Sequence, residues 1–225
     1  MLLHIPQVLE PSQVERMRQR LEAAPWVDGR ETVGAQGAQV KRNRQLPDAS
    51  PLRRELGAEV LAALAGNALF HAAVLPAQTM PPRFNRYEGG GEYGMHVDGA
   101  MMALDGGGWL RSDVAGTLFL SEPDSYDGGA LIVSDTYGEH EVKLSAGDLV
   151  VYPADSLHRV EPVTRGARLA AFFWVQSMVR DAQRRRMLLE LDASVRKLTA
   201  ANADRDALLQ LTNLYHNLLR LWAEP

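Results

Sequence analysis

The chain has no cysteine among its 225 residues. That removes disulfides, thiolate metal sites and cysteine nucleophiles together, so any metal must be held by histidine and carboxylate. No window approaches the roughly 20 apolar residues of a membrane span. The first residues, Met1-Leu2-Leu3-His4-Ile5-Pro6, carry no basic region ahead of an apolar stretch. A cytoplasmic protein without a membrane partner is the expectation. A basic excess is missing too: the formal net charge of -4 gives no electrostatic reason to expect nucleic acid, and Arg184-Arg185-Arg186 reads as a solvated helix face. Neither a Gly-x-Ser-x-Gly elbow nor a phosphate-binding loop is present. What remains, 46% hydrophobic and 23% charged residues, describes an ordinary globular chain long enough for one main domain with something attached.

Three textures follow one another. Residues 2–9 read as a short strand. Glu10-Pro11-Ser12 then opens a helix with Val14, Met17, Leu21 and Ala24 at helical spacing, and Pro25 and Asp28-Gly29 close it. A second helix starts at Ser50-Pro51 and runs through Leu56, Val60, Leu61 and Leu64 to Gly66-Asn67. From about residue 72 to 177 short runs rich in β-formers alternate with Gly, Pro, Asp and Ser. They are Pro82–Tyr87, Met95–Asp98, Gly116–Leu120, Ala130–Ser134, Glu141–Leu144, Asp148–Tyr152 and Leu169–Gln176. Seven or eight such antiparallel strands suit a jelly-roll. After Ser177 the period turns helical. Met187, Leu188, Leu191, Val195 and Leu198 form one apolar stripe, and Leu208, Leu211, Tyr215, Leu218, Leu219 and Trp222 form another, with a break near Ala201–Asp204. The expected fold is α+β, mainly β: a double-stranded β-helix core over about 78–177 with N-terminal buttressing helices in a unit 1–177, and a helical hairpin in 178–225. The hairpin packs on the barrel or on a second copy, which makes a homo-oligomer an expectation.

His96 and Asp98 stand two apart in a strand-like run, which aims both side chains to one side. By itself such a pair is a common accident. His158, at the start of a late strand after Pro153-Ala154-Asp155, supplies a third ligand. Two histidines and one carboxylate on one side of an iron leave positions for a bidentate cosubstrate and dioxygen, and the same set also suits zinc. Arg168 separates these readings. It opens the most apolar strand of the chain and shares a face with Ala170, Phe172 and Trp174. A guanidinium buried there needs a planar anion, and the distal carboxylate of 2-oxoglutarate is one. The other reading places Arg168 at a solvent edge, paired with a protein acid. His4, His71, His140 and His216 have no partner at ligand spacing. Gly89-Gly90-Gly91 reads as a flexible rim loop, and Gly106-Gly107-Gly108-Trp109 as a substrate-side lid.

The segment from Phe84 to Asp98, Phe-Asn-Arg-Tyr-Glu-Gly-Gly-Gly-Glu-Tyr-Gly-Met-His-Val-Asp, resembles the metal-motif region of prolyl 4-hydroxylase-type iron(II)/2-oxoglutarate dioxygenases. The likeness continues in order through Gly128-Gly129-Ala130-Leu131, Ala146-Gly147-Asp148-Leu149, His158-Arg159-Val160 and Thr164-Arg165-Gly166-Ala167-Arg168. Pro162–Gly166, Phe172–Ser177 and the helical tail resemble, more narrowly, the bacterial PKHD-type hydroxylases. The resemblance spans essentially the whole chain. It implies His96, Asp98 and His158 as iron ligands and Arg168 as the 2-oxoglutarate anchor. It also implies Tyr87 as a hydrogen-bonding partner of the cosubstrate and L-ascorbate as a rescuer of over-oxidised iron. One departure stands out: where some prolyl hydroxylases carry a second cosubstrate-binding tyrosine on a central strand, this chain has Phe119.

The expected activity is hydroxylation of a protein prolyl residue, an amino acid or another small molecule, with release of succinate and CO2. Asp98 favours hydroxylation over halogenation, which needs its coordination position for halide. Two alternatives stay open: a non-enzymatic cupin-like module binding metal or carboxylate, and a zinc hydrolase using Glu92 or Asp155 as acid/base.

Overall fold

The computed structural model describes residues 1–32 and 35–224. In chain order the elements are β1 (Leu3–Ile5), α1 (Pro11–Glu22), β2 (Val27–Asp28), α2 (Ala35–Val40), β3 (Lys41–Arg42), β4 (Arg44–Gln45), α3 (Pro51–Ala65), α4 (Ala68–Val74), β5 (Pro76–Thr79), β6 (Arg83–Glu88), β7 (Glu92–His96), β8 (Met101–Ala103) and β9 (Trp109–Arg111). They continue with β10 (Val114–Phe119), β11 (Asp127–Gly128), β12 (Leu131–Asp135), β13 (Gly138–Val142), β14 (Leu149–Pro153), β15 (Leu157–Val160), β16 (Val163–Arg165), β17 (Ala167–Ser177), α5 (Ala182–Ala200) and α6 (Arg205–Trp222).

Two antiparallel sheets face each other. The larger runs β1-β14-β10-β17-β6-β4-β2, with β5 added to the end of β17; the smaller runs β13-β12-β15-β7-β3. The central strands of the larger sheet are buried on both sides, which explains why β17 reads as an almost continuous apolar run. Its Leu169, Ala171, Phe173 and Val175 join Phe84, Leu118, Leu149 and Val151 against Val14, Met17, Leu21, Leu56, Val60 and Phe70 of α1, α3 and α4. The opposite face contributes Tyr87, Ala115, Phe119, Val150, Tyr152 and Trp174 to a second core shared with Leu131, Val133 and Val160 of the smaller sheet. The helices therefore buttress one face of the larger sheet, and the space between the sheets is left for a site.

Local signals account for most boundaries. The Ser50 hydroxyl accepts from the Arg53 amide and Pro51 takes the first helical position of α3. At α1, Gln13 Oε1 accepts the Glu10 amide. The strand expected over 2–9 stops at Ile5, because Pro6 has no N–H for the ladder and Gln7 takes φ 51, its amide bonding Asp148. α4 carries helix through the place where β-texture was expected to begin, and ends on Leu75 in the left-handed region.

Two expectations need correction. Gly89-Gly90-Gly91 is no free rim: Gly90 donates to the Val163 carbonyl and Gly91 accepts from Val163, so the β6–β7 turn is tied to β16. Arg185 is buried, with Nη1 donating to the carbonyls of Val179 and Arg180, so the arginine triplet is a solvated face at its two ends only. α5 and α6 pair with each other, and α5 packs on α4 around Leu75, Val179 and Leu188. Among the described residues no single helix is long and apolar enough to cross a membrane.

Candidate metal and carboxylate site

His96 and His158 are directly opposed partners on β7 and β15, with ring centroids 4.2 Å apart. Asp98 lies beyond the end of β7 rather than within a strand, and the chain leaving the sheet there carries its carboxylate to 3.8 Å from His158 Nε2. One ligand atom from each of the three lies within 4.8 Å of the others. The ring nitrogens are assigned by what faces them: His96 Nδ1 meets the Gly94 carbonyl at 2.8 Å and His158 Nδ1 meets the Ser156 carbonyl at 3.0 Å. A carbonyl only accepts, so Nδ1 carries the proton in both rings and each Nε2 lone pair is left for the shared point.

Tyr93 stacks on His96 at 3.6 Å, and Tyr152 meets His158 edge-on at 5.2 Å. Tyr93 was invisible as a site residue because it stands three positions before His96, on the opposite face of a regular strand. Here two residue steps of β15 span three of β7, His158 facing His96 and Val160 facing Tyr93. This bulge turns Tyr93 onto the side of the two histidines. Burial, then the facing His158, holds the His96 imidazole down to about 4. Burial also pushes the Asp98 carboxyl above its ordinary range, opposed by His158 and by the Trp174 indole N–H. In the metal-free protein the His96 imidazole is thus poised as a neutral lone-pair donor.

Arg168 is 1% exposed and shares the β17 face of Phe172 and Trp174, as period-two alternation predicts. Its guanidinium carbon lies 5.4 Å from the Tyr87 ring centroid and 5.1 Å from that of Phe119. Nε, Nη1 and Nη2 are all buried without a hydrogen-bond partner among the described residues, so the solvent-edge pairing with a protein acid does not occur. Tyr87, opposite Arg168 in the ladder, is 1% exposed, and its hydroxyl accepts from Asn85 Nδ2 at 3.5 Å. A cavity of about 730 Å³ is lined by His96, Asp98, His158, Tyr87 and Arg168 together. Met95, Val97 and Leu157, next to the histidines, are 42%, 53% and 52% exposed, so the cavity opens at the histidine end and closes at the arginine. His4 pairs with Asp148 and His140 with Asp135, away from this site.

Comparison with known proteins agrees with this layout. Residues 82–176 match the 2OG-Fe(II) oxygenase superfamily and residues 181–224 match the PKHD-type hydroxylase C-terminal domain. A PKHD-type hydroxylase of Stenotrophomonas maltophilia (strain R551-3) is 64% identical over 224 residues, covering 100% of both chains. One from Xylella fastidiosa (strain M12) is 61% identical over 229 residues, again covering 100% of both. Among solved structures, a Pseudomonas putida prolyl-4-hydroxylase superposes with TM-score 0.52 at 23% identity, over 78% of this chain and 92% of that one. HygX from Streptomyces hygroscopicus, with nickel and 2-oxoglutarate bound, gives 0.52 at 18% identity, over 76% and 81%. At these identities the two structures speak for the double-stranded β-helix fold. With full-length relatives at this level of identity and both family models matched in order, the chain belongs to the PKHD-type hydroxylase family of the 2OG-Fe(II) oxygenase superfamily.

Proposed function

We propose that His96, Asp98 and His158 hold iron(II), and that Arg168, aided by Tyr87, holds the distal carboxylate of 2-oxoglutarate in this iron(II)- and 2-oxoglutarate-dependent hydroxylase. The observation that carries the assignment is the Arg168 guanidinium, buried with three unpartnered nitrogens in the cavity that the His-Asp-His cluster also lines. A buried cation is retained only where an anion completes it. The donor set fits a divalent transition metal: two imidazoles whose Nδ1 atoms are engaged by carbonyls and one carboxylate, on one side of a point.

Iron(II) with 2-oxoglutarate and dioxygen supplies oxidation of a C–H bond, with the 2-oxo acid leaving as succinate and CO2. The chain's own residues orient and exclude. The carbonyls of Gly94 and Ser156 fix the imidazoles, and the Tyr93 and Tyr152 rings hold their planes. Arg168 binds as a planar fork between the Tyr87 and Phe119 rings, where water competes poorly. Because the arginine end is closed and the histidine end open, the cosubstrate enters first and the substrate closes the mouth behind it. That substrate is a peptidyl or small molecule presenting a C–H bond to the exposed apolar rim of Met95, Val97 and Leu157.

We assign residues 1–177 to the dioxygenase unit and 178–225 to a helical appendage that self-associates. The protein is read as cytoplasmic, without a nucleic-acid or membrane partner, and ascorbate as a support for iron(II). Succinate release coupled to oxygen uptake, lost in Asp98→Ala, tests the catalytic reading; metal binding with no 2-oxoglutarate consumption would favour a cupin-like binding module instead.

A further inference from the structure

Arg168 has a neighbour that its own unsatisfied nitrogens make informative. Tyr126 is fully buried, and its hydroxyl, like the guanidinium, has no hydrogen-bond partner among the described residues. The two belong to one corner. A Cβ at Gly129 would stand 3.0 Å from Tyr126 Cε2 and 3.2 Å from Arg168 Cδ, so the ring and the arginine stem pack against the same bare backbone. The hydroxyl stands beside the guanidinium.

The ring is held from behind. Lys143 Nζ sits 4.2 Å from the Tyr126 ring centroid and donates to the Tyr126 carbonyl at 2.9 Å. The β16–β17 turn leading to Arg168 packs on the same segment, since a Cβ at Gly166 would meet the Ser125 carbonyl oxygen at 2.2 Å. Burial raises the phenol's pKa, so the O–H keeps its proton.

Guanidinium is a donor only and a phenol O–H is a donor with spare acceptor capacity. Facing one another, they can share at most an N–H pointing at the phenol oxygen, which leaves the phenolic hydrogen and the other guanidinium N–H groups without an acceptor. Burying that many unmet donors is costly unless one group meets them together, and a carboxylate with two oxygens can.

We propose that Tyr126 is a further cosubstrate-binding residue, its hydroxyl donating to the distal carboxylate that Arg168 grips, so that an arginine and a loop tyrosine together recognise the far end of a five-carbon 2-oxo acid. This rests on the reading of Arg168 given above. It also says how a chain with Phe119 on the central strand supplies a hydroxyl to this corner: from the loop before β11 rather than from β10.

The test is calorimetric, with Mn(II)-loaded wild-type, Tyr126→Phe and Arg168→Leu proteins, titrated with 2-oxoglutarate and with oxalate, a metal chelator that lacks a distal carboxylate. Loss of one hydrogen bond to a charged group should weaken 2-oxoglutarate binding about 10- to 100-fold in Tyr126→Phe, with oxalate and Mn(II) affinities unchanged. The metal-free Tm of Tyr126→Phe should stay close to that of the wild type, because the phenolic hydrogen removed has no acceptor there. Unchanged 2-oxoglutarate affinity in Tyr126→Phe, while Arg168→Leu loses it, overturns the tyrosine assignment alone. Equal losses for 2-oxoglutarate and oxalate overturn it as well, since they mark a packing role. Unchanged 2-oxoglutarate affinity in Arg168→Leu overturns the underlying reading and this proposal with it.

Discussion

At the scale of single residues, the site is built by neighbours that fix protons and planes. Replacing His96, Asp98 or His158 by alanine removes one of the three proposed ligands. We predict sharply reduced iron(II) binding and loss of 2-oxoglutarate turnover in a protein that still melts cooperatively, measured by metal titration and succinate release. The depressed His96 also sets a pH dependence. Between about 4 in the fold and about 6.5 in the unfolded chain, the unfolded chain binds a proton that the folded one refuses. Stability of the metal-free protein should therefore fall as pH drops through that window and be insensitive to this group above it. Urea melts of His96→Gln should show a shallower fall. Gly129 is a third point: it takes φ 66, and a Cβ there would press Val163 Cγ2 at 2.7 Å as well as Tyr126 and Arg168. Gly129→Ala should lower stability by about 1 kcal/mol or more and weaken 2-oxoglutarate binding more than iron binding, a difference that parallel titrations would reveal.

At the scale of elements, the C-terminal helices are attached by a small core and by polar clasps. Leu188 and Val179 are buried against Leu75, the Glu224 amide bonds the Met178 carbonyl, and Arg111 of β9 reaches Asp113, Ser177 and Glu224. α6 contributes no fully buried residue, and its Leu209, Leu214 and Leu221 are exposed. Truncation after Ser177 should then lower Tm while leaving iron and 2-oxoglutarate binding in the folded fraction, because every residue of the proposed site lies within or before β17. If α6 mediates self-association, Leu214→Glu with Leu221→Glu should convert an oligomer to a monomer in sedimentation velocity at unchanged Tm. A monomeric wild type would remove the self-association idea.

At the scale of the whole molecule, much was legible because period and position carry it. Ser50-Pro51 announced α3, alternation along β17 put Arg168 with Phe172 and Trp174, and the break before Asp204 separated α5 from α6. What was not legible depends on tertiary accidents of the chain. Tyr93 reaches the side of the two histidines through a bulge, Tyr126 reaches Arg168 from a loop with no period, and Asp98 converges on the histidines from beyond the strand that was expected to hold it. The short strands β2, β3 and β4, two residues each, are too brief for any pattern to register and are defined by their partners alone. The central claim is that one cavity binds iron through His96, Asp98 and His158 and 2-oxoglutarate through Arg168. Anaerobic titration of 2-oxoglutarate into the iron(II)-loaded protein, followed by its metal-to-ligand charge-transfer absorption, tests this most directly. The band should develop to saturation in the wild type, and its midpoint should move tens- to thousands-fold higher in Arg168→Leu, as loss of a buried charge-assisted pair worth about 2–5 kcal/mol requires. No band in the wild type, or an unmoved midpoint in Arg168→Leu, would contradict it.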